Sequence, residues 1–279
     1  MKKGIEVLVF LFIITTLIYA CKQNENNNNS TTTKTSEARK LDSIASKKGE
    51  VDFKLVIVKP TSARYNKIYE LVQKDTTLRD FIRAMNNRIE FPGDVAIVVE
   101  ECGEDNAFYS ADSSKISICY EFLEHMMSIQ DKNLKPEEKL LNATAFTFLH
   151  EMGHALVDKL NLPITGKEEN AVDELAMVVL MSDTSDVTYY AAIEGAMQFY
   201  NDALNEDLHS FPFYDTHAPS LERYNDMLVL IVGAYPEGTK DLVGEGPDQL
   251  HPDRAEGAED EYAKKLDSWR RLLGTAWKE

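Results

Sequence analysis

His150-Glu151-Met152-Gly153-His154 is a stretch in which residue types and spacing together specify a chemistry. On an α-helix, residues four apart stand one above the other, so His150 and His154 turn two imidazoles toward one point. Two neutral imidazoles so placed suit a tetrahedral Zn2+ ion. Glu151 lies about 100° round the helix, given 3.6 residues per turn. From there its carboxylate faces water beside the ion instead of the ion itself, the position of a general base. Histidine is scarce, six in 279 residues, so chance seldom sets two at this spacing around a glutamate. The enclosing run from Leu140 to Leu160 is apolar, and Leu149, Leu156 and Leu160 supply a packing stripe on the far side of the helix.

The elements around this helix must position it and complete its ligand shell. The 279 residues suffice for a sizeable core, and 28% charged and 43% hydrophobic residues are ordinary for a globular protein. A net charge of −17 argues against nucleic acid as a partner, because phosphate binding needs a basic surface. Residues 1–20 read as a secretory signal: Lys2 and Lys3 precede an apolar stretch, Val7 to Ile18, too short to span a bilayer comfortably. It ends Leu17-Ile18-Tyr19-Ala20-Cys21, which resembles the bacterial lipobox and implies cleavage before Cys21 with lipid on its thiol. Ordinary signal cleavage nearby, leaving Cys21 free, is the alternative. Residues 21–50 are polar, rich in Asn, Thr, Ser and Lys, and form the expected tether. The folded domain is expected over 51–279.

Asp52 to Val58 alternates β-branched residues and is predicted to be a strand ending before Pro60. Arg64 to Val72 and Leu78 to Arg88 have helical spacing, and Val95 to Glu100 is a second strand after the turn Pro92-Gly93-Asp94. Asn106 to Tyr109 and Lys115 to Tyr120 flank a polar turn and predict a hairpin. Cys102 precedes its first arm and Cys119 closes its second. With Cys21 lipidated, they are an even pair in an exported chain, so a disulfide across the sheet is expected. Glu121 to Ile129 is helical, and Lys135-Pro136-Glu137-Glu138 opens the helix that carries the histidines.

Asn106-Ala107-Phe108-Tyr109 ahead of the His pair resembles the active-site edge strand of the thermolysin-like zinc peptidases, the gluzincins. That resemblance implies that Asn106, Ala107 and Phe108 pair with an extended substrate by β-augmentation. Further on, Thr165-Gly166-Lys167-Glu168 fits a capping box, with Thr165 as N-cap and Glu168 reaching back to its amide. Glu169 is then left free, with Asp173 one turn later on the same face. In gluzincins a glutamate at this place is the third ligand and an aspartate four residues on holds a ligand histidine, which implies those roles for Glu169 and Asp173. Glu168 and Asp173 stay open as alternative ligands, since zinc accepts either carboxylate.

Glu194 to Ala203 is another amphipathic helix, and Asp215-Thr216-His217 and Arg223-Tyr224 follow before the apolar run Met227 to Val232. A zinc peptidase needs a donor for the oxyanion of its tetrahedral intermediate. His217, oriented by Asp215, is the candidate, with Tyr224 second; a solvated loop histidine is the alternative. Asp253 to Leu273 is expected as a closing helix. The fold class is α+β: a zincin-like domain with a small N-terminal mixed sheet, an active-site helix and a mainly helical C-terminal part. The whole also resembles a largely uncharacterised bacterial family of metallopeptidase-like proteins. The expected function is zinc-dependent hydrolysis of a peptide or protein substrate outside the cytoplasm, on a membrane reached through lipid on Cys21. An inactive zincin-fold binding lipoprotein and a zinc amidase on non-peptide substrates are the alternatives.

Overall fold

The strand and helix periodicities assemble, in a computed structural model, into a four-stranded sheet in the order β1-β2-β4-β3 with helices packed against it. Residues 53–129, 134–183 and 185–278 are described. The signal sequence, Cys21 and the whole of the tether lie outside them, as do the first two residues of the expected domain. All described residues fall in one unit, Lys48–Glu279. Among them, no helix is long and apolar enough to cross a membrane.

The sheet comprises β1 (Phe53–Ile57), β2 (Val95–Glu100), β3 (Ala107–Ser110) and β4 (Lys115–Cys119). β1–β2 and β2–β4 are parallel, and β3 pairs antiparallel with β4 at one edge. Helices α1 (Asn66–Lys74) and α2 (Thr77–Arg88) form the crossover between β1 and β2. The first starts later than its spacing predicts because Ala63–Tyr65 forms a separate 3-10 turn. Ile97, Val98 and Val99 are fully buried, as expected for a strand covered on both faces. The hairpin forms with its arms shifted by a residue from the expected bounds. Cys102 and Cys119 are joined, so the segment after β2 is stapled to the end of β4.

Helix α3 (Tyr120–Ser128) leads to α4 (Pro136–Leu160), which carries the His pair through the middle of the molecule. Leu140, Phe148, Leu149, Met152 and Leu156 are all buried on it, so the helix is apolar on nearly every side and surrounded by β3, β4 and helices. Pro136 sits in its first turn, Glu138 accepts from the Lys135 amide at 3.1 Å, and Asn161 ends it in the left-handed conformation. Against it pack α5 (Glu168–Met181), α6 (Asp186–Ala203) and α7 (Ser220–Ala234). The last helix of the sequence analysis is divided: Gly257, at φ +86°, separates α8 (Pro252–Ala255) from α9 (Ala258–Leu273). Only glycine takes that φ without strain, so the break is local in origin.

The expected capping box at α5 does not form. Lys167, not Thr165, is the N-cap, and it makes no side-chain cap bond. Glu168 has another partner, described below.

Oxidised protein should show neither Cys102 nor Cys119 open to alkylation. Reduction should lower stability by about 3 kcal/mol for this loop size, read as a shift in the urea midpoint.

Candidate metal centre and cleft

Two helices and one loop bring the site together. α4 projects His150 and His154 on one face, and α5 crosses it so that its first turns meet that face. The crossing is close because residue 153 is glycine: a Cβ there would stand 2.8 Å from the Cβ of Val172. Close approach of the backbones lets short carboxylates on α5 reach the imidazoles on α4.

Each imidazole is held through Nδ1. His150 Nδ1 lies 2.8 Å from Asp173 Oδ1, and His154 Nδ1 lies 2.8 Å from Glu168 Oε1. In a neutral ring a carboxylate at Nδ1 keeps the proton there and leaves Nε2 as the forward-facing acceptor, which is how metal-ligating histidines are oriented. Both Nε2 atoms converge on Glu169: His150 Nε2 is 3.4 Å from Oε2, and His154 Nε2 is 3.5 Å from Oε1. These ligand atoms all lie within 4.8 Å of one another. Bonds of about 2.0–2.1 Å at tetrahedral angles put ligand atoms roughly 3.3 Å apart, so the spacing suits a metal ion held by nitrogen and oxygen. Glu169 Oε2 is moreover buried with no hydrogen-bond partner, an acceptor that a cation would satisfy. His150, His154 and Glu169 thus fit a metal, with Glu168 and Asp173 engaged behind them.

The protonation of the cluster follows from its neighbours. Burial lowers the His150 pKa, but the hydrogen bond and charge of Asp173 outweigh it and push the group up to about 10. Burial raises Glu169, and the three histidines around it more than reverse this, holding it far below the usual carboxylate range. Glu151 is only 5% exposed, and burial raises its carboxyl against the pull of the two histidines. Its Oε1 lies 4.0 Å from His150 Nε2. A desolvated carboxylate beside the ligands, not among them, suits proton transfer.

Asp173 also binds Arg223 on α7, with Nε to Oδ2 at 2.6 Å and Nη2 to Oδ1 at 2.8 Å. The Arg223 guanidinium lies 4.0 Å over the Phe199 ring. His217 Nε2 approaches Glu169 Oε2 at 3.3 Å, and its Nδ1 is 2.9 Å from Asp215 Oδ1. The Glu169 carboxylate beside it raises the His217 pKa first, burial opposes it, and Asp215 adds to it. Asp215 in turn is lowered to about 2, first by the His217 backbone amide and then by its ring. Lys167 Nζ donates to the carbonyls of Asp215 at 3.3 Å and His217 at 3.0 Å, tying this loop to the start of α5. Tyr224 does not join the site. It is buried, and its hydroxyl donates to the Asp248 carbonyl at 2.7 Å, so it is a packing residue rather than an oxyanion donor.

These groups open into a cleft of about 1020 Å³, bounded on one side by Asn106, Ala107, Phe108 and Tyr109. Cys119 N donates to Asn106 O at 3.2 Å, so the alternation of the ladder turns the peptide groups of Ala107 and Tyr109 to the open edge. Tyr109 Oη donates to Asp158 on α4 at 2.7 Å and fixes that edge over the metal helix.

A family model, DUF4344, described as "Putative metallopeptidase", matches residues 57–273. The chain belongs to that family. No curated protein and no solved structure matches it. The family description carries a metal cofactor with it, and the described residues offer His150, His154 and Glu169 for the ion.

Sequence reasoning missed the partners of Glu168, Arg223 and Lys167. Asp173 and Arg223 are 50 positions apart, and no local pattern announces such a contact. Glu168 was recoverable in principle: it is the other carboxylate within reach when two imidazoles need holding.

Removing Glu169 should therefore abolish tight metal binding. Glu168→Gln should weaken it by about 10–100-fold, as for loss of an outer partner of a ligand histidine. Chelator competition on the folded variants measures both, and wild-type affinity in Glu168→Gln would show that metal binding does not depend on the carboxylate behind His154.

Proposed function

We propose that this protein is a zinc-dependent endopeptidase of the gluzincin type, anchored by lipid on Cys21 and acting outside the cytoplasm. The observation that carries this is one convergence. His150 Nε2, His154 Nε2 and Glu169 meet within ligand spacing, and Glu151 lies beside them, 4.0 Å from His150 Nε2. An exposed strand edge bounds the same cleft. Zinc held by His150, His154 and Glu169 would supply Lewis-acid polarisation of the scissile carbonyl and a lowered pKa for water.

The chain's own groups do the rest. An extended peptide lies along β3 and pairs with the outward peptide groups of Ala107 and Tyr109, with Asn106 and Phe108 flanking it. Pairing fixes the scissile carbonyl near Glu151. Glu151 takes a proton from the attacking water and delivers it to the departing amine. His217, held by Asp215 and the Lys167 clamp on its loop, donates to the oxyanion. The lipid on Cys21 and the polar tether of residues 21–50 would keep the catalytic domain at the envelope while leaving it free to reach substrate.

Glu151→Gln should keep zinc at wild-type stoichiometry while peptide hydrolysis falls below detection, since Gln preserves size but accepts no proton near neutrality. A binding lipoprotein predicts no hydrolysis by either protein. A zinc amidase predicts turnover of non-peptide amides with peptides untouched. Loss of zinc in the variant would mean that the ligand shell is wrongly drawn.

His217→Ala should leave zinc bound and reduce kcat by roughly 10²–10³, the usual loss for one oxyanion donor. A rate equal to wild type would remove His217 from the chemistry.

A further inference from the structure

The wall of the cleft away from Lys167 has a composition of its own. Phe122 and Met126 on α3, Phe146 on α4 and Phe199 on α6 give it an apolar lining. Phe146 lies 6.2 Å from the His150 ring and 6.1 Å from the Phe199 ring, so this lining begins next to the metal ligands. Into it α6 turns Gln198 and Asp202, which are four residues apart and therefore share a face.

Gln198 is 8% exposed, lines the cleft, and its amide nitrogen has no hydrogen-bond partner among the described residues. A buried amide left unpaired costs about 1–3 kcal/mol, a cost that an entering ligand can remove. No hydrogen bond to that nitrogen pins the amide, so a half-turn of its terminal torsion presents the carbonyl as readily as the NH2 group. One turn further out, the Asp202 carboxylate has no hydrogen bond or ion pair among the described residues. Asp105, at the same mouth, is matched by His125 at 2.7 Å. The cleft's lysine and arginine are committed elsewhere, Lys167 to loop carbonyls and Arg223 to Asp173. The wall is thus apolar along its length and acidic at its mouth, with one unpinned amide between.

We propose that this wall is the side-chain subsite of the cleft and that it selects lysine or arginine in the substrate, through Asp202 and Gln198. The inference rests on the peptidase function proposed above. The methylene stem of a long basic residue packs on Phe146, Phe199 and Met126 while its head stays polar. The head then meets the Asp202 carboxylate and the Gln198 carbonyl. An acidic side chain would face Asp202 and Asp105 with no free cation to receive it. A plain aliphatic one would leave Gln198 unpaired.

The test uses three fluorescent peptides identical except for one central residue: arginine, norleucine or glutamate. Binding to zinc-loaded Glu151→Gln is read by anisotropy, and cleavage by the wild-type protein is mapped by mass spectrometry. The arginine peptide should bind at least tenfold more tightly than norleucine, and glutamate weakest. Asp202→Asn should erase the arginine advantage, Asp202→Lys should invert the order of arginine and glutamate, and Gln198→Leu should shift preference toward norleucine. Equal binding of arginine and norleucine, or a preference untouched by the Asp202 and Gln198 changes, overturns the subsite. So does the absence of binding by all three. Cleavage without enrichment for basic residues overturns the subsite and leaves the peptidase standing. Arginine-selective binding that depends on Asp202, with no cleavage by wild type, overturns the peptidase and keeps the subsite.

Discussion

The Asp173 carboxylate is the joint on which the rest of the site depends. One oxygen meets His150 at 2.8 Å, and both oxygens receive Arg223. That single group links α4, α5 and α7, and the Phe199 ring beneath Arg223 brings in α6. Asp173 is 5% exposed and the Arg223 side chain 9%, so neither charge is well served by water. Removing one partner of such a buried pair typically costs about 3–5 kcal/mol, because the other is left uncompensated. The pair therefore holds His150 in place with more energy than an exposed hydrogen bond could supply. His154 is held differently: its partner Glu168 has a side chain 47% exposed and can yield. One imidazole is anchored rigidly and the other adjustably.

Backbone spacing makes this arrangement possible. Gly153 lets α5 approach α4 near the ligands, and Gly195 does the same for α6, where a Cβ would stand 2.4 Å from the Phe146 ring. Farther along the same interface Lys139 and Glu194 face each other at 3.5 Å, both buried. α4 is thus gripped by polar pairs at the ligands and below them, with apolar packing between. Asp173, Glu168 and Glu169 all face the two imidazoles and favour their charged form. A cation at the same point would use the same atoms, so metal and protons would compete for one cluster.

Much of this was legible in the sequence where the signal is local. The His pair, Glu169 and Asp173 lie on two helices whose i, i+4 spacing is written in the chain, and the hairpin shows as two alternating runs around a polar turn. Glu168 was misread because a capping box competes with a tertiary partner, and the imidazole of His154 won. Tyr224 looked available because sequence cannot show that the Asp248 carbonyl, 24 positions on, takes its hydroxyl. Gln198 and Asp202 were unremarkable as letters; only the packing of α6 against α4 turns them into the cleft. Gly257 could have been found, since a glycine inside a helical pattern is a known break signal.

The open edge of β3 is the feature that most needs explaining on physical grounds. An unpaired strand edge invites pairing with other chains, and proteins usually cover it, twist it or keep it short. Here it is short, four residues, and is fastened to α4 through Tyr109 and Asp158. That fastening fixes the height of the outward peptide groups relative to the histidines. Substrate pairing on this edge would satisfy those groups and set the register of the peptide, so the same hydrogen bonds that bind it would decide which bond faces Glu151. The proposed side-chain selection by the α6 wall would then act on a chain already in register. Backbone pairing would supply affinity that is indifferent to sequence, and the wall would supply the discrimination.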